Sequence, residues 1–373
     1  MANKINHLLP AYRQLQQHAH PVVLATIIET FGSTYQKAGA RMLISHKGEL
    51  TGLLGGGCFE RDLVEQALSV FASGVAKTVF YDMRSPEDVI WGLGLGCNGA
   101  VKVLLQLLSA ENDFSPLNSI AEVAESKLAG VLVTIFDSQY ADFCVGHNLF
   151  LPATTTNNQQ MLSSAPFPFM TAALQSLLQQ KPRIESHTIN GHQFSAFYDP
   201  LQPPLHLLIF GAGADAIPVV NCAKALGWQV SVVDYRPAHI KPERFPLADQ
   251  LLYAVPEKVS DTLELDSFNA AVLMTHNIEY DQRYLQALVH SHIPFIGLLG
   301  PAPRKDRLLQ SLGNDSSLIS NRVFGPVGLD IGAETPEEIA LSIVAGIRAE
   351  LSNRSGRPLS SKSTVDLHVC IPR

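Results

Sequence analysis

Long apolar runs are missing from this chain of 373 residues: no stretch reaches the ~18 consecutive apolar residues of a membrane helix, which excludes a spanning segment of that kind. The opening MANKINHLLPAYRQLQQHAH has neither a continuous apolar stretch nor a small-residue cleavage site, so a cytoplasmic address is expected. Cysteine is scarce. Cys58, Cys97, Cys144, Cys222 and Cys370 are an odd number with no CxxC, so neither a disulfide framework nor a zinc finger is readable and reduced thiols are expected. Charge is scarce as well, at 16%, and the 27 Lys+Arg against 34 Asp+Glu leave a net charge of −7 with no basic block. A phosphate-backbone partner needs a basic face, so nucleic acid is excluded. What is plentiful is apolar material, 46% of residues, enough to bury cores in about two or three domains.

The pattern predicts α/β architecture, an N-terminal α+β domain followed by a Rossmann-like parallel-sheet domain. A helix is expected over 8–18 and β-rich runs over 22–30, 41–45, 50–54, 77–81, 100–107, 131–136 and 142–151. A helix over 58–72 follows a run of glycines. Residues 153–204 read as a linker with a helix and an Asn190-Gly191 hairpin, ending at Pro200-Leu-Gln-Pro-Pro, which should not continue a sheet interior. From 205 to 351 strand and helix alternate, the rhythm of a parallel sheet with crossover helices. The last helix begins at Thr335-Pro336-Glu337-Glu338, an N-cap with a capping-box glutamate, and 352–373 is a flexible tail. No internal repeat is visible, and the domain boundaries are therefore drawn at 1–152, 153–204, 205–351 and 352–373.

Three glycine-bearing segments could carry chemistry. Gly211-Ala-Gly213-Ala-Asp-Ala216 follows an apolar strand and opens a helix, the context in which such glycines admit a pyrophosphate to the helix N-terminus. Asp234 ends the next strand, where a carboxylate can accept from ribose hydroxyls, and Arg236 either tolerates a 2′-phosphate or is a surface arginine. Gly55-Gly56-Gly57-Cys58 joins strand to helix. Its consecutive N–H groups can face an anion and its thiol gains acidity from the helix dipole, or the segment is only a tight turn. Gly92 to Gly99, with Cys97, is a second glycine-cysteine loop, and the two thiols can face one cleft as soft ligands or belong to unrelated turns. The segment from Gly32 to Arg41, with Ser33, Thr34, Lys37 and Arg41, is a phosphate or pterin clamp or a solvated loop. His276 ends a strand of the parallel sheet, as a ligand-edge residue or as a helix-capping or structural histidine. His187, His192 and His368 show no paired ligand spacing, so no metal is assigned.

The segments GSTYQKAGARMLIS, LTGLLGGGCFERDLVEQA, GLGLGCNGAVKVLLQ, LLIFGAGADAIPVV and GPVGLDIGAETPEEIALSIVAGI together resemble the xanthine dehydrogenase accessory family, XdhC/CoxI-type proteins. The resemblance implies a protein that binds molybdenum cofactor (molybdopterin), protects it while a cysteine desulfurase supplies the terminal sulfur, and inserts it into an apo molybdenum hydroxylase. It is an accessory role rather than classical turnover. Cys58 and Cys97 become the sulfur- or molybdenum-facing thiols, Ser33, Thr34, Arg41, Gly55, Gly56 and Gly57 the cofactor contacts, and a homodimer is a further expectation. Two departures stand out: Gly96-Cys97-Asn98-Gly99 where the family often reads GCGG, and Thr275-His276-Asn277 where it reads THD. The competing expectation is an NAD(P)-dependent oxidoreductase built on Gly211, Gly213, Ala216 and Asp234, with His276 as acid/base.

Overall fold

The computed structural model describes residues 8–57, 59–84, 99–126, 128–156, 159–162 and 168–360, in two compact units, Met1–Pro204 and Leu205–Arg373.

In the first unit α1 (Leu9–His18) leads into β1 (Val22–Gly32), β2 (Arg41–Ser45), β3 (Leu50–Gly52), α2 (Glu60–Ser73), β4 (Lys77–Asp82) and β5 (Gly99–Leu108). The strands make an antiparallel sheet in the order β3-β2-β1-β5-β4. The fully buried stretch of β1 explains its position: Val23, Ala25 and Ile27 pack under α2 through Leu63, Ala67 and Val70, while Leu24 faces the other way.

The chain then repeats itself. α3 (Leu117–Ser126), β6 (Gly130–Ser138), β7 (Asn148–Thr156), β8 (Gln159–Leu162), α4 (Met170–Gln179), β9 (Arg183–Ile189) and β10 (His192–Leu201) follow the same succession, and the sheet order β8-β7-β6-β10-β9 is the same order. The correspondence reaches single residues. Ile28 is skipped in the register of β1 with β5, and Phe136 is skipped at the matching place in the register of β6 with β10, a β-bulge in each half. Those two residues meet Leu104 and Phe197 in one buried cluster, so equivalent side chains of the halves face each other. Arg41 on β2 reaches Asp199 on β10 at 2.7 Å, and Gln106 on β5, which corresponds to Asp199, donates to the Gly146 carbonyl at 3.0 Å. The halves thus exchange like contacts, as the protomers of an isologous dimer do. This corrects the expectation of no repeat. Its trace in the sequence is Val-Leu-Ala-Thr-Ile at 23–27 against Val-Leu-Val-Thr-Ile at 131–135. The halves differ in one connection: residues 83–98 separate β4 from β5, whereas Asn190-Gly191 alone separates β9 from β10.

The stretch 153–204 holds the expected helix and hairpin: the hairpin strands and β8 belong to the second sheet, and α4 packs on it. Pro200 also lies within a strand, against expectation. The pairing of β9 with β10 ends at Tyr198, so Pro200 stands beside β6 only and its missing N–H disrupts no ladder on the far side.

The second unit runs β11 (His206–Phe210), α5 (Ala216–Ala225), β12 (Gln229–Asp234), β13 (Gln250–Tyr253), α6 (Val259–Thr262), β14 (Ala270–Leu273), α7 (Ile278–Leu288), β15 (Phe295–Leu298), α8 (Ala302–Ser311), α9 (Ser316–Ile319), β16 (Val323–Phe324) and α10 (Pro336–Leu351). All pairs are parallel, in the order β13-β12-β11-β14-β15-β16. Both faces are buried, one under α5 and α10, the other under α7 and α8, which is why its strands read as unbroken apolar runs. Thr335 and Glu338 form the reciprocal capping box that starts α10. Among the described residues no helix is long and apolar enough to cross a membrane.

Candidate functional site

Two loop regions collect the residues singled out in the sequence. In the first half of the N-terminal unit, three segments converge at one end of the sheet. Gly99 opens β5 opposite Gly32, and it packs so tightly that a Cβ on it would run into the Ser33 carbonyl. The Tyr35 ring lies over Gly56, and at 59% it is largely exposed. Ser33 and Lys37 are exposed, while Thr34 donates to the Gln36 carbonyl at 2.8 Å and accepts from Lys37 Nζ at 3.4 Å. Cys58 and Cys97, in sequence immediately after Gly57 and two residues before Gly99, lie outside the described residues.

Two of the expected contacts are already engaged by the protein itself. The N–H groups of Gly55 and Gly57 donate to the Glu60 carboxylate at 2.6 and 2.9 Å, and Glu60 is buried, so the anion in that glycine turn is the chain's own. Helix α2 starts at Glu60 after Phe59, with Glu60 in the first turn where the helix dipole favours it. Arg41 is not a loop cation. It begins β2, is 2% exposed, and its guanidinium binds Asp199 at 2.7 Å and the Gly39 carbonyl at 3.1 Å. A buried arginine needs such a partner, and having one it does not reach solvent.

The second region is the C-terminal edge of the parallel sheet. The strand order reverses between β11 and β14, and this switch point is where open α/β sheets bind ligands. Gly211, at φ +113, lets the chain turn against β14: a Cβ there would stand 2.5 Å from the Met274 carbonyl oxygen. Gly213 follows, and Ala216 begins α5. His276 comes from the far side of the switch point in a left-handed conformation, φ +58, and its Nε2 lies 2.7 Å from Asp215 Oδ2. Asn277 caps α7 through its side chain, which accepts from Glu279 and Tyr280 N–H. The role of His276 is therefore not that of a cap.

Asp234 sits at the end of β12 as expected, but with other partners. Fully buried, its carboxylate accepts from Ala212 N–H at 2.7 Å, Arg236 N–H at 2.8 Å, and Arg236 Nε and Nη2 at 2.9 and 2.8 Å. Burial pushes its carboxyl up, but the bonds from the Arg236 side chain, Ala212 and the Arg236 backbone outweigh that and hold it below the ordinary value. The same pairing raises Arg236, whose guanidinium is engaged by Asp234 rather than free. Asp215 is the residue that the sequence reading passed over. An acidic side chain at a variable position of a phosphate-turn pattern was the available signal. Among the described residues no group of three or more His, Cys, Asp or Glu is placed to hold a metal.

Comparison with known proteins places the chain in a family. Residues 15–82 match the family described as XdhC and CoxI, and residues 207–347 match the XdhC Rossmann domain. The chain is similar to a Bacillus subtilis (strain 168) protein described as a probable xanthine dehydrogenase subunit, 37% identical over 91% of this chain and 95% of that protein. It is also similar to PaoD of Escherichia coli (strain K12), described as a molybdenum cofactor insertion chaperone, at 23% identity over 91% of this chain and 87% of the relative. Among solved structures, one described as a xanthine dehydrogenase from Bacillus halodurans superposes with a TM-score of 0.73 at 29% identity, covering 97% of this chain and 98% of that one. The chain belongs to the XdhC and CoxI family.

Proposed function

We propose that the protein binds molybdenum cofactor at the loop cluster of its first half and inserts it into an apo molybdenum hydroxylase of the xanthine dehydrogenase type. The observation that carries this reading is the convergence of the Ser33 to Lys37 segment, the Gly55 to Gly57 turn and the start of β5 at Gly99, with Cys58 and Cys97 adjoining two of those segments in the sequence. The insertion role described for PaoD supports it. Here the cofactor is cargo. The exposed Tyr35 ring offers a flat face to the pterin, and Ser33 and Lys37 offer donors to its phosphate, with Thr34 orienting Lys37 by accepting from its Nζ, since Glu60 has taken the N–H groups of Gly55 and Gly57. The thiols of Cys58 and Cys97 are soft groups suited to the molybdenum end, where a cysteine desulfurase supplies the terminal sulfur before transfer. A homodimer completes the reading.

The test is anaerobic incubation of the purified protein with cofactor released from a molybdoenzyme, followed by gel filtration and assay of molybdenum and pterin in the protein peak. Near-stoichiometric retention is expected, reduced at least tenfold in Tyr35→Ala/Lys37→Ala and followed by activation of an apo-hydroxylase. Wild-type protein that emerges free of pterin overturns the reading.

A further inference from the structure

The C-terminal unit has the strand order of a dinucleotide-binding domain, yet its own side chains stand where a dinucleotide would lie. We propose that Asp215, held by His276, is a specificity determinant that excludes a pyrophosphate from the glycine turn, so that this unit does not take NAD(P).

Three places in the crevice make the case. At the phosphate position, the N-terminus of α5 attracts negative charge, and the charge it meets is Asp215. That carboxylate folds back over the turn so closely that a Cβ on Gly213 would collide with its Oδ1. The space that the second glycine of the motif leaves for a phosphate is therefore occupied, and by a group of the same sign. His276 fixes it there with the 2.7 Å contact across the switch point, from a backbone conformation that non-glycine residues adopt at a cost. Asp215 makes no capping bond to α5, so helix capping does not account for its placement.

At the ribose position, Asp234 has no exposure and its oxygens already accept four hydrogen bonds from Ala212 and Arg236. A carboxylate that recognises ribose must present an oxygen to the crevice. Beside it, where the base would follow, Tyr235 and Tyr280 stack face to face with centroids 3.5 Å apart, joining the end of β12 to the first turn of α7. Each of the three contacts is internal to the unit, and together they answer the phosphate, ribose and base of a dinucleotide with protein groups. The proposal concerns the C-terminal unit alone and is independent of cofactor binding at the N-terminal loops.

The test titrates the full-length protein with NADH and NADPH, following nicotinamide fluorescence, for the wild type and for Asp215→Asn, Asp215→Ser and His276→Ala. Wild-type protein should show no saturable binding up to about 1 mM, the weak end of specific recognition. Asp215→Ser, which removes both charge and bulk, should bind with a Kd at least tenfold lower than that limit, and Asp215→Asn and His276→Ala should fall between. Saturation of the wild type at micromolar NADH overturns the proposal. So does silence of all three folded variants, because Asp215 would then not be what excludes the ligand.

Discussion

The Glu60 carboxylate accepts the Gly55 N–H at 2.6 Å, and with its second oxygen the Gly57 N–H at 2.9 Å, so the first turn of α2 reaches back to hold the loop that precedes it. Consecutive glycine N–H groups at a helix start form a concavity suited to an anion. Here that anion is built in. Phe59 adds a second constraint, because its ring lies where a Cβ on Gly55 would be. The loop on which Cys58 follows in sequence is therefore set by two neighbouring side chains as well as by glycine flexibility.

Replacing Glu60 by Ala should accordingly cost about 3–6 kcal/mol, since it strips a buried carboxylate from two donors, and bonds to charged groups are each worth roughly 1.5–3 kcal/mol. Glu60→Gln should cost less. Urea unfolding checks the order. Added sulfate should stabilise Glu60→Ala more than wild type, and an equal response of the two would mean that the N–H groups are not open to an anion once Glu60 is gone.

The Arg41–Asp199 pair should behave as a buried ion pair between the two halves, with side chains 1% and 8% exposed. Arg41→Ala leaves Asp199 buried and unpaired and should cost about 3–5 kcal/mol. The double variant Arg41→Met/Asp199→Leu should lose much less than the sum of the single changes. A double-mutant cycle in urea reads this directly, and additive losses would show that the pair is not coupled.

The parallel-sheet unit was legible because its signals are local and redundant: apolar strands buried on both faces, a glycine turn after the first strand, and a capping box at Thr335. β16 escaped notice because two residues, Val323 and Phe324, carry no period. The repeat in the first unit escaped because it lives in topology and bulge position, with little residue identity outside the Val-Leu-x-Thr-Ile stretch. The chemistry was read less well than the fold. Residue type and spacing drew attention to Arg41, Asp234 and the glycine N–H groups, but their availability depends on Asp199, Arg236 and Glu60. Asp199 is distant in sequence and comes near only through the packing of the halves. Asp215 is illegible for the opposite reason: it stands at a position where the glycine pattern makes no demand, and its partner His276 lies 61 residues away in sequence.

Stability should fall in mild acid through His187. Its Nε2 lies 2.6 Å from the Tyr198 hydroxyl, among Phe169 and Phe194, and burial pushes its pKa below the ordinary 6.5, against a smaller opposing effect of Glu185. Because the unfolded chain takes up the proton first, the contribution of neutral His187 is complete above about 6.5 and is lost as the pH falls through the folded value. The unfolding midpoint in urea, followed from about pH 8 down to about pH 5, should drop more for wild type than for His187→Gln. Identical slopes would remove His187 from the account.

The internal symmetry predicts a pairing of glycine substitutions. Gly39 and Gly146 stand at matching places before β2 and β7, at φ +86 and +90, and each faces the contact exchanged between the halves. A Cβ on Gly39 would lie 2.9 Å from Asp199 Oδ1, and one on Gly146 would lie 2.8 Å from the Ala76 Cβ. Gly191, in the β9–β10 hairpin at φ +81, is the comparison, because a Cβ there meets nothing within 4 Å. An alanine at Gly191 bears the left-handed conformation alone, about 1–2 kcal/mol. Alanine at Gly39 or Gly146 bears that and a displaced packing contact, so each should cost about 3 kcal/mol or more by adding an overpacking penalty of roughly 1–3 kcal/mol. The two should resemble each other more closely than either resembles Gly191→Ala. Urea midpoints for the three variants decide it: if Gly146→Ala proves as mild as Gly191→Ala while Gly39→Ala is severe, the halves share a topology but not an energetically equivalent interface.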